Sequence, residues 1–228
     1  GGLGEGTDAV VRGEELFNSS FAGSQRDLLD ESVVAEVAEV NGAAAAEGSI
    51  TSFQLTLLDA EGDPMGGGFG PPTLTGTWLE DRDLASFQVD EGRAPERSGE
   101  VIINRAAIDD GNLEIGSDIT LITAEGNKTL TLVGASRFGK ADSAGGAINV
   151  DGLLSQTQEL AGEPGKVDTI SVRAAQGVTP DELGDAWQGS VELFGPLHLG
   201  TEVAIFAGRI GVFEMHEEEV VIVPGLFK

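Results

Sequence analysis

Apolar residues recur at two different periods along this chain, and the change of period divides it. Over residues 24–40, Leu28, Leu29, Val33, Val34, Val37 and Val40 fall at helical spacing. Asn41-Gly42 ends that predicted helix, since both residues tolerate the left-handed conformation at a helix C-terminus. Before it, Val10-Val11 within residues 8–12 predicts a short strand. After it, Phe53, Leu55 and Leu57 alternate with polar neighbours over residues 50–58, which predicts a half-buried strand. The opening therefore reads strand, helix, strand.

Ala60-Glu61-Gly62-Asp63-Pro64 is a turn, and residues 66–72 are rich in Gly and Pro. A subdomain boundary is expected there. Beyond it helical periodicity nearly vanishes. Short strands are predicted over residues 101–104, 119–123, 129–137 and 147–150, with a hairpin turn at Ala124-Glu125-Gly126-Asn127. Residues 106–110 suit one helical turn. Residues 153–160 read as helix, ended by Glu163-Pro164-Gly165, and residues 169–174 as strand. Thr179-Pro180-Asp181-Glu182 opens a helix that runs to about Trp187: an N-cap threonine, proline at the first position, then acids. The order predicts an α+β fold in which a discontinuous α/β subdomain, residues 1–65 plus 151–200, holds an inserted β-rich subdomain, residues 66–150. Residues 201–228 are an unassigned C-terminal tail.

Charge narrows the function classes. The 228 residues carry 39 acidic against 13 basic side chains, a net charge of −26. The lysines are Lys128, Lys140, Lys166 and Lys228. Such a surface repels nucleic acid and anionic headgroups, because phosphate binding depends on Lys and Arg. Cysteine is absent, which excludes disulfides, thiolate metal sites and a cysteine nucleophile. No stretch reaches the roughly 18 apolar residues of a membrane helix, and Arg209 interrupts the apolar run of residues 203–213. The chain opens on Gly1 rather than Met, as expected of a processed product or a piece of a longer protein.

No arrangement of residues calls for chemistry. His198 and His216 are the only histidines and lack the i, i+4 spacing of a zinc helix. Glu217 to Glu219 suit a solvated turn or edge. Asp59 to Asp63 are too short for a calcium loop and suit a hairpin turn. Gly66-Gly67-Gly68-Phe69-Gly70 runs into Pro71-Pro72, not into the helix N-terminus that a phosphate loop needs. Neither a Gly-x-Ser-x-Gly elbow nor a nucleophile, base and orienter set is present. Asn18-Ser19-Ser20 and Asn127-Lys128-Thr129 match glycosylation sequons. Trp78 and Trp187 suit core or interface anchors. The expectation is no catalytic, cofactor-binding or metal residue and no cofactor.

Five phrases in a fixed order point further. Ala9-Val10-Val11-Arg12-Gly13 closes the first strand, and a helix leads through Asn41-Gly42 and four alanines towards Ile50. Gly92-Arg93-Ala94-Pro95 precedes Gly99-Glu100-Val101-Ile102-Ile103. Gly116-Ser117-Asp118 opens a strand, and another runs into Leu132-Val133-Gly134. In this order, over residues 8–190, the chain resembles the MacB-like periplasmic core domain of FtsX-family ABC-transporter permeases. The last thirty-odd residues depart from that pattern.

The resemblance implies a non-catalytic extracytoplasmic domain of a membrane protein. It implies a cytoplasmic ABC ATPase as partner through the full-length permease, a homodimer, and a periplasmic or extracellular protein partner. The domain would pass ATP-driven motion of membrane helices to a lipoprotein, peptide or small-molecule substrate, or to that partner. Residues 66–72 are the hinge candidate, since Gly-rich segments absorb large dihedral changes. The alternative is a free-standing acidic extracellular binding module for a cationic peptide or metal.

Overall fold

A computed structural model describes residues 6–13, 15–19, 23–66, 72–179, 182–183, 186 and 201–205. In chain order it contains β1 (Ala9–Gly13), β2 (Glu15–Ser19), β3 (Gly23–Arg26), β4 (Leu29–Asp30), α1 (Val33–Ala38) and β5 (Ala43–Ser49). Next come β6 (Thr56–Leu57), β7 (Thr73–Thr77), β8 (Phe87–Gly92), β9 (Glu100–Asn104), α2 (Arg105–Asp110), β10 (Asp118–Thr123), β11 (Gly126–Phe138), β12 (Ile148–Gly152) and α3 (Leu154–Ala161). β13 (Lys166–Val167), β14 (Thr169–Ala174) and β15 (Thr201–Ile205) follow. The protein is mixed α+β, with many strands and few helices.

These elements form two compact units. One is continuous, Ile50–Pro164; the other joins Leu3–Ser49 to Gly165–Lys228. The limits at 50 and 164 differ from the expected 66 and 150, for a pairing reason. Residues of the 50–58 stretch pair with β7 and β10, and β12 lies inside the same sheet between β9 and β7. Within the expected tail, Thr201–Ile205 pairs with β1; residues 206–228, with His216 and Glu217 to Glu219, lie outside the described residues. So do residues 67–71 of the hinge candidate, Trp187 and His198.

The discontinuous unit is built on an antiparallel sheet ordered β15-β1-β14-β5. Val10, Val11, Ile170 and Val172 are buried in it, together with Val33 and Val37 of α1. Two glycines permit its close packing. A Cβ on Gly13 would stand 2.0 Å from the Asp27 carbonyl oxygen, and one on Gly48 would stand 2.8 Å from Val34 and Val167. The expected helix over 24–40 shrinks to α1, because Leu29 pairs with Val167 in a two-stranded ladder and residues 23–26 pair with β2. The four alanines of 43–46, good helix formers, lie in a strand because β14 supplies their backbone partners.

The continuous unit is a seven-stranded sheet ordered β6-β10-β11-β9-β12-β7, with β8 paired to the far half of β11. Leu57, Val101, Ile103, Leu121, Leu132 and Val150 form its core with Ala107 and Ile108 of α2. Only Thr56–Leu57 of the expected 50–58 strand is regular, with an isolated bridge from Ser52 to Thr75. Phe53, expected inside, is 66% exposed. Asp59 Oδ1 accepts from the amides of Glu61 and Asp63, so that acidic stretch is a turn. Trp78 is buried and carries the Arg82 guanidinium 4.3 Å above its ring. The Thr179 helix start is a reciprocal capping box. The Thr179 amide donates to Glu182 Oε2, and the Glu182 amide donates to Thr179 Oγ1. Thr179→Ala is expected to lower stability by about 1 kcal/mol, read as a shift of the urea midpoint at unchanged slope.

Candidate functional site around the β8–β9 turn

The stretch richest in sequence signal folds into two charged clusters. The first is closed by the turn between β8 and β9. Gly92 takes φ +73°, a left-handed conformation that glycine adopts without strain, and Pro95 is buried in the turn. The chain then returns so that Arg93 meets Glu100. Arg93 Nη1 donates to Glu100 Oε2 at 2.7 Å and Nη2 to Oε1 at 2.5 Å. Arg97 Nη2 donates to Oε1 at 3.0 Å, and the Glu96 amide to Oε2 at 3.0 Å. Gln156 of α3 holds the strand entry from the other side: its Oε1 accepts from the Gly99 amide and its Nε2 donates to the Glu100 carbonyl.

The Glu100 side chain is only 9% exposed, yet both its oxygens are occupied by donors. Arg93 above all, then the Glu96 amide, holds its carboxyl well below the usual carboxylate range. A carboxylate so saturated has no lone pair left for a base or a ligand. Its role is to fix the start of β9. A depressed folded-state pKa contributes stability above the ordinary carboxylate pKa and loses it as pH falls further. Glu100→Gln is therefore expected to be destabilised at pH 7 and to lose the steep acid limb below about pH 4. Urea unfolding between pH 3 and pH 7 reads both effects; an unchanged acid limb would contradict this role.

The second cluster lies on the other flank of β8. Arg105 Nε donates to Asp90 Oδ2 at 2.9 Å, and its Nη2 to Glu91 Oε2 at 2.6 Å. Asp109 stands 3.9 Å from Arg105. Arg137 Nε lies 3.0 Å from Asp90 and 3.2 Å from Asp142. Asp90, Glu91, Asp109 and Asp142 thus surround Arg105 and Arg137, four carboxylates to two guanidiniums. Among the described residues no group of three or more His, Cys, Asp and Glu is placed to hold a metal ion.

A third feature is a polar row on the sheet. Ser136, Asn104 and Asp151 are buried on neighbouring strands β11, β9 and β12. Asn104 Oδ1 accepts from the Asn149 amide at 2.7 Å, and its Nδ2 donates to the Asp142 carbonyl at 3.1 Å. Asp151 sits opposite Ile102 on one side and Gly76 on the other. Burial pushes its carboxyl up to about 7. None of these three features was legible as a site. Arg93 and Glu100 meet only through the turn, and Arg105 reaches Asp90 across strand pairings.

The described residues form a mixed α+β fold with one continuous and one discontinuous compact unit. Solved structures resemble the chain in fold. The periplasmic region of MacB from Actinobacillus actinomycetemcomitans superposes with a TM-score of 0.62 at 12% identity, over 88% of this chain and 89% of that one. The extracellular domain of the noncanonic ABC-type transporter YknZ from Gram-positive bacteria gives 0.58 at 12% identity, over 85% and 98%. The chain thus resembles the MacB-like periplasmic domains of ABC-transporter permeases, and at these identities the likeness is one of fold. No protein-family model matches the chain. No curated protein matches it either.

Proposed function

We propose that this chain is the extracytoplasmic domain of an ABC-transporter permease of the FtsX family. The observation that carries the reading is the fold likeness to MacB and YknZ domains over most of both chains. Five phrases of the sequence in family order support it independently. The domain carries no catalytic centre of its own. It passes ATP-driven movement of membrane helices to an exported substrate or to an extracytoplasmic partner, and a cytoplasmic ATPase supplies the energy. A net charge of −26 suits a surface that works in water outside an anionic membrane.

Cell fractionation tests this. An antibody raised against the β10–β11 hairpin should detect a membrane-bound polypeptide longer than 228 residues. Solubilised in detergent, that polypeptide should co-purify with an ATP-hydrolysing subunit. Recovery of the 228-residue chain only as a free secreted protein would overturn the proposal.

A further inference from the structure

Among the described residues, one stretch of chain covers the margins of the seven-stranded sheet except along β8. Ser52 bridges Thr75 of β7 at one margin, and Thr56–Leu57 pair with β10 at the other. β8 pairs with β11 on one side, and among the described residues no strand pairs with its other side. Its residues 88–92 are exposed. An open edge carries backbone N–H and C=O groups that template a further strand.

Side chains along this edge are sorted by face. Strand alternation puts Phe87 and Val89 on one face and Gln88 on the other, and a bulge at Asp90, which has no register partner in β11, interrupts the alternation before Glu91. Phe138 lies opposite Phe87, with ring centroids 5.4 Å apart. Val89 is 41% exposed and Phe138 36%. The surrounding charges keep an acidic excess, four carboxylates to the two guanidiniums of Arg105 and Arg137.

We propose that β8 is a docking edge for an extended basic segment of a partner protein, with apolar residues at alternate positions. The segment adds as a further strand. Its apolar side chains lie beside Phe87 and Val89, with Phe138 backing Phe87 from β11, and its basic ones face the carboxylate excess. A second copy of this chain is the wrong occupant, because it would set Asp90 and Glu91 against equally acidic surface in a chain of net charge −26. The proposal stands on the sheet edge and does not depend on the permease reading.

The test uses the ¹⁵N-labelled chain and the blocked peptide Lys-Val-Lys-Phe-Lys-Val-Lys. Amide shift changes are expected at residues 87–92 and 136–138. A peptide with alternate backbone amides N-methylated keeps its charge and side chains and loses its donors; it should not bind. Val89→Lys, at an exposed position, should keep the melting temperature and weaken binding by about tenfold. Equal binding of the methylated peptide, or shifts centred away from β8, would overturn the proposal. So would a concentration-dependent dimer in sedimentation that Val89→Lys abolishes, since it would make the second copy the occupant.

Discussion

Asp151→Asn is expected to stabilise the protein at pH 8 and to leave it unchanged at pH 4. Asp151 lies between Ile102 and Gly76, so close to the latter that a Cβ on Gly76 would stand 2.7 Å from its Oδ1. β7, Thr73–Thr77, offers it no charged side chain, and Glu100, next on its face of β9, is turned to Arg93 and Arg97. The folded carboxyl keeps its proton up to about 7 because it is buried. The unfolded one loses it near pH 4. Between these values the folded state binds the extra proton, so stability falls as pH rises and the loss is complete above about 7. A shift of about three units corresponds to on the order of 4 kcal/mol. Urea unfolding at pH 4, 6 and 8 should show the wild type weakening and the variant level. Parallel profiles would mean that Asp151 is charged and solvated in the fold.

Gly134→Ala is expected, with Gly92→Ala, to be among the most damaging single-methyl changes in the 92–134 stretch. A Cβ on Gly134 would stand 2.3 Å from the Arg93 carbonyl oxygen and 2.9 Å from that of Glu91. Both are backbone atoms of the turn that delivers Arg93 to Glu100, so neither can yield without moving the cradle. Overpacking of this kind destabilises by about 3 kcal/mol. Gly99→Ala is the control. Gly99 has φ +90°, yet nothing lies within 4 Å of its would-be Cβ, so only backbone strain of about 1 kcal/mol is expected. If the two variants melt together, contact with the turn is not what keeps residue 134 a glycine.

The β-rich stretch was readable because its signals are local. β9, β10, β11 and β12 fall where apolar runs and turn glycines put them, and residues 169–174 coincide with β14. The helical period extends N-terminally past α1 because Leu28 and Leu29 share its spacing. Leu29 is instead drawn into pairing with Val167, a contact across the whole inserted unit that no local period encodes. β8 was missed because Phe87-Gln88-Val89-Asp90 is short and ends in acids. The charged clusters were invisible for a related reason. Arg93 and Glu100 stand seven positions apart in an irregular turn, and Arg137 meets Asp90 only through strand pairing. The phrases marking the fold were thus visible, while the side-chain partnerships they create were not.

The chain leaves the discontinuous unit at Ser49 and is back beside the same residue at Thr169, its register partner in β5 and β14. These residues are 120 positions apart in sequence. If the intervening chain were loose, bringing its ends together would cost about 2 kcal/mol more than closing a ten-residue loop. A folded insert removes most of that entropy. The seven-stranded unit is therefore a staple in the folding order: it should form first, and the β5–β14 pairing should zip behind it.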